Sequence, residues 1–264
     1  MEWSPDLEKY PRYWHSRLKA GFGLGIGASY KPWLRVRDVP SRGSSGNPHG
    51  IRVDRTYHLL SNFERSYFKH QERCQDITDI REGFPILHLA GTLQLCAELG
   101  VRHPRRGQYL EPFTIDFLIT RRTSNGFVDE AKSIKSPEDA LDPETRLRES
   151  VPYLWCKHYG IDWKLVDTSG FTKDLEATLT FIRGWFRHRH VPDQARAVAF
   201  SKHFQSIYAR NIPLRELVEK CAKQLRLPYT LCENEFRYCA WSKLIPVDVT
   251  ERMALNFPVV LHGS

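Results

Sequence analysis

Asp116 is the one charge in the apolar run "FTIDFLI" (residues 113–119), and "FVDEAKS" (residues 127–133) follows with Glu130 and Lys132. Alternation along a strand puts Phe113, Ile115, Phe117 and Ile119 on one face and sends Asp116 to the other, with Thr114 and Leu118. In the second segment Val128, Glu130 and Lys132 share a face, and Asp129 and Ala131 point the other way. The loop "TRRTSNG" (residues 120–126) has hairpin chemistry, and joining the segments through it sets Asp116 roughly across from Glu130. Two carboxylates and a lysine then converge on one sheet face. Such a set suits hydrolysis of a phosphodiester. Mg²⁺ takes carboxylate oxygens and shares its other positions with water and phosphate, and a cation so held polarises the scissile phosphate. Lys132 would hold the attacking water or neutralise charge growing on the phosphate.

The spacing is D-x13-E-x-K, which resembles the PD-(D/E)xK nuclease signature with Ile115 where that motif has proline. A second string, "DWK" at 162–164, has no strand carboxylate close upstream and reads as an ordinary core strand. A third acid is expected from a helix before the hairpin, and "SNFE" offers Glu64. Ser61 and Glu64 also form S-x-x-E, a capping box, and one role does not exclude the other.

The elements that must position these residues follow from periodicity. Leu59, Leu60, Phe63, Tyr67 and Phe68 recur at helical spacing and predict a helix over 61–73. "ITDIREGFPIL" reads as a strand, "LAGTLQLCAELG" as a helix closed by Gly100, and "VRHPRRGQYLEP" as turns. A helix is expected over 137–159, started by Ser136 and Pro137, and "DWKLVD" returns as a strand. Strand, strand, helix, strand argues for a mixed α/β layer. Three helical stretches after Ser169 and a tail "FRYCAWSKLIPVDV...FPVVL" read as a small hairpin give the outline of a winged-helix module. In "FIRGWFRHRH" the basic residues serve a partner or form a solvated face over Phe181, Trp185 and Phe186.

The 264 residues carry 39 Lys and Arg against 31 Asp and Glu, a net charge of +8, which suits a polyanionic partner. The six cysteines make no CxxC pair and no zinc spacing, so reduced thiols are expected. No apolar run reaches membrane-spanning length, which predicts no membrane partner and a cytoplasmic protein. The first fifty residues are basic and irregular and end in the loop-like "DVPSRGSSGNPHG".

The strings "HLLSNFE", "DIREGFP", "GVRHP", "TIDFLI" and the E-x-K strand, in that order, with "GLGIGASYKPWL" before them, resemble the TnsA family, the endonuclease subunit of heteromeric transposases. The resemblance covers about residues 20–168. It implies a restriction-endonuclease-like mixed-sheet core followed by a smaller, mostly helical, winged-helix-like domain. The implied division is an N-terminal arm at 1–50, a catalytic domain at 51–168 and a partner-binding domain at 169–264. It further implies a Mg²⁺-dependent enzyme, Mn²⁺ substituting, that cuts the 5′ ends of a mobile element in double-stranded DNA. A TnsB-like DDE recombinase and a TnsC-like ATP-dependent regulator would be its partners, in the bacterial nucleoid. Carried over, the catalytic set is Glu64, Asp116, Glu130 and Lys132, with Glu64, Asp116, Glu130 and the Ala131 carbonyl as metal ligands. Glu130 stands where the family often has Gln. A self-sufficient restriction or repair nuclease and a non-catalytic DNA-binding module are the alternatives.

Overall fold

Four strands carry the apolar alternation into one sheet: β1 (Ile77–Pro85), β2 (Thr114–Thr123), β3 (Gly126–Ile134) and β4 (Asp162–Val166), hydrogen-bonded in that order. The computed structural model describes residues 4, 6–38 and 45–262, so residues 39–44 of the expected Pro/Gly/Ser-rich loop lie outside it. β1, β2 and β3 pair antiparallel, whereas β4 lies parallel to β3. A parallel return needs a crossover, and helices supply it between Pro137 and His158. The single helix expected there is broken at Asp142, whose backbone is extended and whose carboxylate accepts the Thr145 N–H at 2.7 Å. That cap, with Pro143 at the first helical position, starts a new helix.

Helix α1 spans Asn62–Glu72, α2 Leu89–Leu99 and α3 Pro143–His158. Gly100 ends α2 in the left-handed conformation, φ +66°, as its position in the sequence predicted. Cys96 of α2 and Val151, Trp155 and Cys156 of α3 pack with Ile86, Phe113, Ile115, Leu118 and Ala131 of the sheet region in one buried cluster. "DWKLVD" forms an edge strand with Asp162 and Lys164 exposed, not the core strand expected.

The irregular N-terminal arm is also corrected. Trp14, Leu18 and Trp33 are buried together, and the Trp14 indole N–H donates to the Leu110 carbonyl at 2.9 Å. Aromatic burial, which composition hid among basic residues, ties this segment to the sheet-bearing unit. Gly23, at φ +76°, would bring a side-chain carbon to 2.4 Å from Pro85, so that approach admits only glycine.

The chain divides into two compact units, Met1–Arg65 with Cys74–Ser169, and Ser66–Arg73 with Gly170–Ser264. In the second, α4 (Lys173–Ile182), α5 (Gln194–Ile207), α6 (Leu214–Leu225) and α7 (Tyr229–Trp241) enclose Leu179, Phe204, Leu217 and Phe236. Ser66–Arg73 completes it: Lys69 donates to Glu176 at 2.6 Å, Arg183 to Glu72 at 2.8 Å, and Arg73 to the carbonyls of Ala240 and Trp241. Of the expected tail hairpin the described residues form only a short antiparallel pairing, in which the Asp248 N–H donates to the Val260 carbonyl and the His262 N–H to the Pro246 carbonyl, both at 2.8 Å. "FRYCAW" belongs to α7, where Cys232, Phe236, Cys239 and Ala240 share a buried face at helical spacing, and the tail makes single bridges such as Val247 to Leu261. All six cysteines are unbridged and five are buried. No helix among the described residues is long and apolar enough to cross a membrane.

Candidate active site

The β2–β3 register decides which side chains meet. Thr123 pairs with Gly126, so the turn is only Ser124 and Asn125, and the strands continue through most of the predicted loop. Phe117 then lies opposite Lys132 and Ile119 opposite Glu130. Cross-strand partners share a face, so Glu130 and Lys132 lie on the side of Phe117 and Ile119, away from Asp116. The expected convergence of Asp116, Glu130 and Lys132 is corrected on this point. The expected register is three positions off, and an odd shift turns every side chain over. Glu130 instead meets Arg121 at 3.1 Å and Lys132 at 3.2 Å, and Lys132 reaches Asp162 of β4 at 3.3 Å. Ala131 is fully buried in mid-sheet, opposite Leu118.

By the same register Asp116 falls opposite Ser133, and its surroundings follow from the end of β3. One Asp116 oxygen accepts the Ile134 N–H at 2.6 Å and the Lys135 ammonium at 2.9 Å, with the Ser133 hydroxyl at 3.3 Å. Lys135 also contacts Glu149 of α3 at 3.2 Å, and the Ser133 hydroxyl donates to Glu149 at 2.7 Å. The Thr168 hydroxyl donates to the Lys135 carbonyl at 2.6 Å and pins the chain just past β3. Burial works against the Lys135 charge, but Asp116 and Glu149 outweigh it and hold its pKa above the usual lysine range.

Glu64 joins this group from the start of α1. Its N–H donates to the Ser61 hydroxyl at 3.1 Å, while its carboxylate accepts from the Ser61 hydroxyl and from the Leu60 N–H at 2.8 Å. The capping role is therefore real, with the return bond donated by the Leu60 N–H. Burial first, and the charge of Asp116 second, push the Glu64 carboxyl up to about 8, against the donors at Leu60 and Ser61. At neutral pH this favours the protonated form of Glu64.

The structure thus brings Glu64 and Asp116 together, leaves Glu130 and Lys132 elsewhere, and adds Ser133, Lys135 and Glu149. The string "SIK" at 133–135 carried a signal for Lys135 that the mistaken register hid. Nothing in spacing pointed to Glu149, which arrives from a helix. Among the described residues no three His, Cys, Asp or Glu side chains stand close enough to hold a metal ion together. Mg²⁺ is ordinarily bound by one or two carboxylates, with water and substrate phosphate completing the shell. Glu64 and Asp116 fit that demand: both offer hard oxygens, and their mutual repulsion is the kind a cation relieves.

Residues 74–168 match the family described as TnsA-like endonuclease N terminal. The transposon Tn7 transposition protein TnsA of Escherichia coli is 35% identical over 133 residues, 50% of this chain and 48% of that protein. The chain therefore spans about half the length of the curated relative it matches. Asp116, Ser133, Lys135 and Glu149 all fall inside the matched span, and it is this span, residues 74–168, that is similar to the TnsA-like endonuclease N-terminal domain.

Proposed function

We propose that this chain is a divalent-metal-dependent DNA endonuclease of Tn7-type transposition, cutting the 5′ ends of the element. The observation that carries the reading is the cluster of Asp116, Lys135 and Glu149 around Ser133, with Glu64 near enough for the charge of Asp116 to act on it. Glu64 and Asp116 would hold Mg²⁺, or Mn²⁺ in its place. The bound cation would polarise the scissile phosphate and acidify a water. Glu64 would ligate only as the carboxylate, so its proton would pass to solvent on loading. Lys135 is held by Asp116, Glu149 and Ser133, so its ammonium needs no reorganisation to meet charge growing on a phosphate oxygen. Ser133 and Glu149 act as positioning residues for that ammonium.

The sheet unit is read here as restriction-endonuclease-like and the helical unit as a winged-helix-like partner-binding domain. Its partners would be a TnsB-like DDE recombinase and a TnsC-like ATP-dependent regulator, on the DNA of the bacterial nucleoid. The test is strand-specific cleavage of an element-end duplex with recombinase and Mg²⁺ present. Nicking at the 5′ end that disappears with Asp116→Asn supports the reading; wild-type protein that leaves both strands intact under every metal condition overturns it.

A further inference from the structure

The β2–β3 hairpin outruns its sheet. β1 pairs with β2 no further than Arg121, and β4 meets β3 only from Glu130 onward. From Arg122 to Val128 the two strands therefore have only each other as ladder partners, and every residue of that stretch is exposed. The base of this finger is fixed. The Arg121 guanidinium pairs with Asp76 and, at 3.1 Å, with Glu130, and the Arg122 N–H donates to the Asp76 carbonyl at 2.7 Å. The tip is tied as well: the Thr123 hydroxyl donates to the Gly126 carbonyl at 3.0 Å and accepts the Asn125 N–H at 3.2 Å.

A two-stranded ribbon has no core of its own and gains nothing by holding apolar groups in water. Phe127 is nevertheless 65% exposed and Val128 46%. The Arg122 guanidinium lies over the Phe127 ring, 5.9 Å from its centre, and among the described residues it has no carboxylate partner. Just below it Arg121, Asp129 and Glu130 are all ion-paired. The finger thus ends in one uncompensated positive charge, an exposed ring and the side chains of Thr123, Ser124 and Asn125.

We propose that this finger enters the major groove of duplex DNA and contacts base edges near the cleaved phosphate. That groove, about 12 Å wide, admits a two-stranded ribbon. Within it Arg122 suits guanine O6 and N7, Asn125 suits adenine N6 and N7, and Phe127 suits a thymine methyl. A free positive charge among hydroxyl and amide groups complements a groove walled by phosphates, whereas a protein docking face is apolar at its centre. Asp116 and Ser124 are eight residues apart along β2, about 27 Å at about 3.4 Å per residue. Duplex DNA rises about 3.4 Å per base pair, so the bases touched by the tip lie within about eight base pairs of the phosphate at Asp116. The inference rests on the nuclease reading above.

Dimethyl sulfate reads this contact, because it methylates the guanine N7 that faces the major groove. Element-end duplexes with guanines through that window are bound by the recombinase without divalent cation, so that no strand is cut. They are then probed with and without full-length wild-type or Arg122→Ala/Asn125→Ala/Phe127→Ala protein. Wild type should add protection within about eight base pairs of the cut. The triple variant should lose that protection and need ~10-fold more protein to occupy the duplex, while keeping the wild-type melting temperature because the finger lies outside the core. Protection that persists in the triple variant overturns the finger, as does wild-type protein that adds none in the window. A triple variant that no longer co-elutes with the recombinase when DNA is absent overturns it in favour of a protein contact. The nuclease reading stands through all of these outcomes and falls only if wild-type protein leaves the 5′ end uncut in the separate cleavage assay.

Discussion

Lys135 and Asp116 form a 2.9 Å ion pair where β3 ends beside β2, while Lys132, three residues earlier, faces the opposite side of the sheet. The two lysines therefore separate two accounts of the chemistry. Lys135→Ala should lower 5′-end cleavage by ~100- to 1,000-fold, the usual cost of removing a preorganised transition-state donor. Lys132→Ala breaks partly buried contacts with Glu130 and Asp162, which lowers stability, but on the other face of the sheet it should leave the cleavage rate of the folded protein within about threefold. Strand-specific cleavage rates of the two variants check this; the reverse order would return the site to the Glu130 face.

Glu64 should make stability depend on pH. Its folded pKa of about 8 lies above the 4.5 of an unperturbed glutamate. Between those values the native state binds more protons than the unfolded state, so the contribution of Glu64 is complete below the unfolded pKa and is lost as pH rises through the folded one. Glu64→Gln keeps the shape and cannot ionise. Its melting temperature without divalent cation should match wild type near pH 4.5 and exceed it by several degrees at pH 9. Melting curves at the two pH values decide the matter, and parallel profiles would count against the raised pKa.

Mg²⁺ binding should be linked to the same proton. Because the carboxylate is the ligating form, affinity should rise with pH and level off above about 8. At pH 6.5 close to one proton should be released per cation bound. Calorimetry in buffers of different ionisation enthalpy counts that proton, and Glu64→Gln should release none.

The helical unit should not be reproduced by residues 170–264 alone. Without Ser66–Arg73, Glu176 loses Lys69, Arg183 loses Glu72, and the carbonyls at the end of α7 lose Arg73. Breaking a buried pair by removing one partner costs about 3–5 kcal/mol, a large share of the stability of a unit this size. The fragment should show a broad, low melt by circular dichroism, and fusing Ser66–Arg73 back through a flexible linker should sharpen and raise it.

Much of the sheet unit was legible because its signals are local. Alternation marked β1, β2 and β3, Gly100 marked the end of α2, and S-x-x-E marked the start of α1. What failed was pairing, which depends on the turn. "TRRTSNG" offers several turn positions of similar quality, and the strand side chains on either side continue the alternation without a break. Local chemistry thus leaves the register free by several residues, and the burial of Phe117, Ile119 and Leu118 settles it only in three dimensions. The tail of the helical unit failed for the opposite reason. Phe236, Tyr238 and Trp241 favour strands by type, but packing of Cys232, Phe236 and Cys239 on one helical face overrides that preference.

The two-residue turn at Ser124 and Asn125 has an evolutionary corollary. Asp116 and Ser133 stay opposite one another only if each strand gains or loses as many residues as its partner. Hairpin length among functional relatives should therefore drift by whole cross-strand pairs, two residues at a time. A single-residue insertion or deletion would survive only when a bulge or a longer turn absorbs it and restores parity, so odd-length relatives should carry a glycine-marked irregularity between these two positions.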